Sequence, residues 1–195
     1  RRRTFILGAV AAAATLRSQR SNAIPAVQRS TLVVNGLDPS RLTAEYLDLL
    51  DAGGVHCWHH SVRGDFAGFA SLLRFFDAHK TRIAPAGSVR DIRRLHAQSL
   101  ISHVSGWQSA SALVVDGAPE LGNLRAYREL GLRICGISYN VADAFGGGSF
   151  DSEVPLTRAG VRLVEEIHHQ RIVLDVGGHT GEQTSFDALA ISTGV

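Results

Sequence analysis

From residue 30 onward, short apolar, β-branched runs alternate with longer amphipathic ones. "STLVVNG" (30–36) predicts a strand, "SRLTAEYLDLLDAGG" a helix opened by Ser40 and closed at Gly53, and "GVHCWHHSV" a second strand. "DFAGFASLLRFFDAHK" has helical apolar spacing, "TRIAPAG" is a short strand, and "SVRDIRRLHAQ" is a short helix with Ser88 placed to cap it. "SLISHVSGWQ" predicts a strand, "PELGNLRAYRELG" a helix stopped by Gly131, and "LRICGISYN" a further strand. Residues 156–170 form a helix whose apolar set is Leu156, Val161, Leu163, Val164 and Ile167. "RIVLDVGG" is a strand that feeds a last helix.

Strands separated by helices of this length need parallel crossovers, which are right-handed and put the helices outside the sheet. The fold class is therefore α/β. Roughly five strand-helix units follow one another without a repeat or a Pro/Ser linker, and no Gly-x-Gly-x-x-Gly follows the first strand. This suits the first part of a (β/α)8 barrel better than a finished doubly wound domain. Such a barrel carries its chemistry at the carboxyl ends of its strands. Those ends hold Asn35 to Asp38, His59 and His60, Trp107 and Gln108, Tyr139 and Asn140, and His179.

With 45% hydrophobic and 19% charged residues, the 195-residue chain is globular rather than disordered. It contains no methionine, even at position 1, and stops at "ISTGV", so it reads as a fragment at both ends. The opening "RRRTFILGAVAAAATLRSQRSNA" has a basic start, an apolar run from Phe5 to Thr15 and the small-x-small Ser21-Asn22-Ala23 of an export signal. Arg2-Arg3-Thr4-Phe5 resembles the twin-arginine consensus, which implies the Tat export machinery as a partner and a periplasmic or extracellular destination. The run is too short to span a bilayer. Removing residues 1–23 takes away five arginines and no acids, so the formal charge falls from +2 to −3. The remainder has no lysine- and arginine-dense face interleaved with aromatics, which argues against nucleic acid as a partner. Cys57 and Cys135 sit inside apolar runs and read as buried free thiols.

"VHCWHH" offers three histidines and a cysteine, but strand alternation sends His56, Trp58 and His60 to one side and Cys57 and His59 to the other. They cannot all bind one ion; pocket lining suits them better. His168-His169 ends a helix, where imidazolium meets the negative end of the dipole. "FGGGS" (145–149) lacks the Gly-Lys-Ser/Thr of a phosphate loop and reads as a flexible loop over the mouth of a barrel. No Gly-x-Ser-x-Gly elbow supports a serine hydrolase. His179, just past a buried run and two glycines, is placed as a ligand or pocket residue.

"HTGEQTSFDALAIS" resembles the stretch of membrane (renal-type) dipeptidases in which a strand ends in Asp-Leu-Ser-His and a helix follows. "LGLRICGISYNVADAFGGGSFDSEVPLTRAGVRLVEEI" is similar to the preceding block of that family, where Leu-Thr-Tyr-Asn ends a strand and a Gly-rich loop leads to Gly-Leu-Thr-x-x-Gly. The resemblance runs from about Thr31 to the end and is specific over residues 130–192. It implies a metallo-dependent hydrolase barrel over residues 31–195, holding two zinc ions and cleaving dipeptides by attack of a metal-activated water. His179 matches a family zinc ligand, Gln108 the bridging Glu, and Tyr139, with Asn140 and His60, the substrate side. Three departures stand out: Leu37 occupies the place of a ligating histidine with Asp38 one position early, Gln108 is neutral, and "DVGGH" is one residue longer than Asp-Leu-Ser-His. These losses lead to an expectation of one zinc rather than two. They also favour the alternative of an exported pseudoenzyme that binds small peptide-like or amide ligands.

Overall fold

The computed structural model describes residues 31–192; the segment read as an export signal lies outside them. In chain order the elements are β1 (Val34–Asp38), α1 (Ala44–Ala52), β2 (Cys57–Ser61), α2 (Phe66–Ala78), β3 (Ile83–Pro85), α3 (Val89–Ala97) and β4 (Ile101–Trp107). They continue with β5 (Val114–Val115), β6 (Ala118–Pro119), α4 (Asn123–Glu129), β7 (Leu132–Gly136), α5 (Arg158–His169), β8 (Val173–Asp175) and α6 (Glu182–Ile191). The β5-β6 hairpin around Asp116-Gly117 is an insertion that the periodicity does not mark.

All pairings in the main sheet are parallel, in the order β1-β2-β4-β7-β8. β2 runs beside Ser102–Gly106 along one edge of β4. The other edge is shared: β3 pairs with Ile101–His103, and β7 with Ser105–Trp107. Strands alternating with helices on one face make an open half-barrel, as the sequence pattern requires. The strands are shorter than their apolar runs. β1 begins at Val34, although Val33 O still accepts the His56 and Cys57 N–H groups, and β7 stops at Gly136, after which Ile137 O accepts the Ala110 N–H.

The helix-covered face holds two apolar clusters, one around Leu47, Trp58, Phe76 and Ile83, the other around Trp107, Leu132, Cys135, Leu163 and Ile167. Both cysteines are buried and free. Side-chain caps start four helices, each worth about 1 kcal/mol: Thr43, Asp65, Ser88 and Thr157 accept backbone N–H groups. Thr43, not Ser40, opens α1: its Oγ1 accepts the Tyr46 N–H at 3.2 Å, one residue ahead of Ala44. No helix among the described residues is long and apolar enough to cross a membrane.

The opposite face carries Val34, His59, Val104, Ile134 and Val173 around a cavity of about 360 Å³. Val34 and Val173 are 52% and 51% exposed. Among the described strands, β1 and β8 each pair on one side only. An unpaired strand edge opens to solvent far below the global unfolding energy. Amide exchange of the 195-residue chain should therefore show weak protection in β1 and β8 and strong protection in β4. Uniform protection at the global limit would mean that the edges are covered.

Candidate functional site

β4 positions Gln108 and β8 leads to His179, so two strand ends that lie two places apart in the sheet meet at the carboxyl side of the half-barrel. The Gln108 amide N–H donates to His179 Nε2 at 2.7 Å. An amide nitrogen has no acceptor pair, so this geometry places the imidazole proton on Nδ1 and uses the Nε2 lone pair. Tyr139, just past β7, stacks on the His179 ring with centroids 4.2 Å apart and planes inclined by 29°. Gln108 and Tyr139, but not His179, line a cavity of about 200 Å³ together with Ser61, Trp107, Ser109 and Ser111.

The extra residue in "DVGGH" is taken up locally. His179 N–H donates to Gly177 O at 2.8 Å around Gly178, whose φ is +73°. That is the positive-φ γ-turn, which glycine adopts without a Cβ clash. The imidazole thus still reaches the strand ends.

The Gly-rich loop is not the free flap that its composition predicts. Gly146, Gly147 and Gly148 are buried. Asp143 Oδ1 accepts the Ser138 hydroxyl at 2.7 Å and the Phe145 N–H at 2.8 Å. Thr184 Oγ1 accepts the Gly147 N–H and donates to Val154 O, both at 2.7 Å, while Gly181 N–H donates to Gly147 O. The glycines serve close packing against the turn that carries His179. Asp143 and Thr184 escape sequence reading, because each looks like an ordinary polar loop or helix residue.

Neither Asn140 nor His60 lines this cavity. The Asn140 Oδ1 accepts the Ser149 hydroxyl at 3.1 Å within the loop. His60 lies on the helix-covered face, stacked on Trp58 at 4.4 Å, with Nδ1 3.1 Å from Nε2 of the buried His103. Strand alternation separates the histidines as expected: His59 lies on the open face, its Nδ1–H donating to Gly36 O. Burial pushes the His60 pKa down to about 4, only partly opposed by Asp38. His103 is driven well below the usual histidine value by burial, with His60 and His59 adding to the effect.

Asp38 is bound within its own turn. Tyr46 OH donates to Oδ2, as does Asn35 Nδ2 at 3.1 Å, and Ser40 N–H donates to Oδ1. Burial raises its pKa, but the bonds from Ser40, Tyr46 and Asn35 outweigh this and hold the carboxyl below its ordinary range. Among the described residues no three of His, Cys, Asp and Glu converge as a metal site. His179 brings one imidazole and Gln108 a neutral amide, so the described residues do not make up the dizinc site that the resemblance implies.

The sequence signature of membrane dipeptidases, peptidase family M19, matches residues 55–194. The chain belongs to the membrane dipeptidase family. The match begins after β1, so the first-strand departures at Leu37 and Asp38 lie outside it. No curated protein matches the sequence. Among solved structures, this membrane dipeptidase family member is similar in fold to an amidohydrolase from Pseudomonas aeruginosa (TM-score 0.77, 21% identity, 84% of this chain and 50% of that one). It is also similar to the metallopeptidase dipeptidase AC of family M19 (TM-score 0.68, 23% identity, 89% and 57%). A third is a metallopeptidase from Rhodobacter sphaeroides bound to a phosphinate mimic of the dipeptide L-Ala-D-Ala (TM-score 0.66, 19% identity, 90% and 57%). The chain spans about half the length of these structures.

Proposed function

We propose that the protein to which this chain belongs is an exported hydrolase of dipeptides, and that the described half-barrel supplies the Gln108-His179-Tyr139 corner of its active site. The observation that carries this reading is the meeting of Gln108 and His179 at 2.7 Å at the strand ends, beside a cavity of about 200 Å³. Pockets for drug-sized ligands measure roughly 300–1,000 Å³, so this smaller space favours a small molecule such as a dipeptide. In the proposed reading a zinc ion, when bound, would supply the activated water, with His179 as the ligand from this half. The chain's own residues hold and orient. Tyr139 offers an aromatic face and a hydroxyl at the cavity rim, and Gln108 fixes the imidazole plane. Hydrolysis of Ala-D-Ala by the full-length protein, measured as release of free D-alanine, is the test; no turnover on any dipeptide would remove this reading.

A second reading is a binding protein with a degraded metal site. The Gln108 amide favours it, since an N–H group now points at the nitrogen that would ligate metal. Binding of Ala-D-Ala without turnover or metal would select it.

The export proposal rests on Arg2-Arg3-Thr4-Phe5. Replacing Arg2 and Arg3 by lysine should hold the precursor in the cytoplasm. Export in a strain without the twin-arginine translocase would overturn the proposal.

A further inference from the structure

We infer that Asn140 is the positioning residue of the Tyr139-His179 pair, acting through a strained backbone turn rather than through contact with substrate. Asn140 has φ +58°, and Val141 N–H donates to Tyr139 O at 2.6 Å across it. An i to i+2 bond around a positive φ is the γ-turn that is rare and strained for a residue with a side chain. Strain of this kind persists only where the surroundings enforce it.

Here the His179 turn and the loop at residues 148–150 both do so. Asn140 N–H donates to the His179 carbonyl at 3.1 Å, and the same carbonyl accepts Ser149 N–H at 2.9 Å. Phe150 N–H donates to Asn140 O at 2.6 Å, and the Ser149 hydroxyl donates to Asn140 Oδ1. Gly148 lies so close that a Cβ there would stand 2.1 Å from the Asn140 carbonyl carbon and 2.3 Å from Val141 N. The turn and the loop are thus built against each other.

The consequence falls on the neighbouring side chain. Tyr139 is 42% exposed, yet its ring stacks on His179 with the planes inclined by 29°. Reversal of the chain immediately after Tyr139 fixes the direction of that ring. The bond from Asn140 N–H holds the His179 main chain in register below it. Asparagine tolerates the left-handed region better than other residues with a Cβ, and its amide oxygen adds the bond to Ser149.

The inference uses the proposed function for the site it names, but its decisive readout is independent of activity. In the full-length protein, Asn140→Gly keeps the positive φ and the backbone N–H, whereas Asn140→Val opposes that φ. The ring-current shift of the His179 ring protons by Tyr139, followed by NMR, should survive in Asn140→Gly and collapse in Asn140→Val. Hydrolysis of Ala-D-Ala should stay within about threefold in the first and fall about tenfold or more in the second, chiefly in kcat. If Asn140→Val does not fold, Asn140→Ala carries the same comparison with a smaller strain. Retention of the shift in the β-branched variant (in Asn140→Ala if that variant does not fold), or equal loss in Asn140→Gly, would overturn the inference. A wild type that turns over no dipeptide would remove the proposed function and leave the NMR comparison to decide this one.

Discussion

In the proposed zinc hydrolase, His179→Ala should take the zinc content of the full-length protein from about one ion per chain to none, and abolish dipeptide hydrolysis with it. The amide-imidazole hydrogen bond from Gln108 is worth about 1 kcal/mol net, while structural zinc in zinc-finger peptides, with its full ligand set, contributes roughly 10–16 kcal/mol. The bond therefore cannot by itself keep a metal out; the number and charge of the ligands decide. His179 combines a ligating nitrogen with a place at the strand ends beside Gln108, and Gln108 brings no charge. Gln108→Glu replaces the N–H donor by a carboxylate beside the same imidazole, and should strengthen binding of a second zinc by about tenfold or more. Elemental analysis and zinc titration of the wild type and both variants check this. Two tight zincs in the wild type would show that other groups replace the missing charge. No metal in the wild type under any loading condition would favour the binding-protein reading.

The fold was legible because hydrophobic period and crossover length are properties of local sequence. Positions just past strand ends could be listed from the chain alone, and two of them, Gln108 and His179, do meet. What the sequence could not provide was the direction in which each strand face looks. Alternation correctly separates His60 from His59, but not which of the two points to the helices. That depends on Trp58, which packs with Leu47 and Phe76 from α1 and α2 and carries His60 with it to the covered side. "FGGGS" misled for a related reason: glycine signals either freedom or close packing, and only the neighbours distinguish them. Here the neighbours are Asn140, Thr184 and the turn at His179.

The helix-side histidines lead to the second large effect: the fold should lose stability steeply between about pH 6.5 and pH 4. His60 and His103 share one hydrogen bond at 3.1 Å, with Ser105 Oγ 3.4 Å from the far nitrogen of His103. Two neutral rings satisfy this chain, and two protonated ones would place like charges in contact inside the core. Burial lowers the His60 pKa to about 4, against the pull of Asp38, and drives that of His103 well below its ordinary value. Burial and His96 lower His56 as well. The unfolded chain takes up protons near the ordinary value of about 6.5 and the folded chain does not, so unfolding gains protons as pH falls. The stabilisation is complete above about pH 6.5 and is lost progressively down to the folded values. For His60 alone the loss is on the order of 3 kcal/mol, a large part of the roughly 5–15 kcal/mol that holds a domain together. The depressed carboxylates, such as Asp38, lose their contribution only at lower pH. Urea midpoints should accordingly fall sharply from pH 7 to pH 4.5. His60→Phe, which keeps an aromatic ring on Trp58 and takes no proton, should flatten that fall; an unchanged midpoint in the wild type over this range would show that the buried pair is not held neutral.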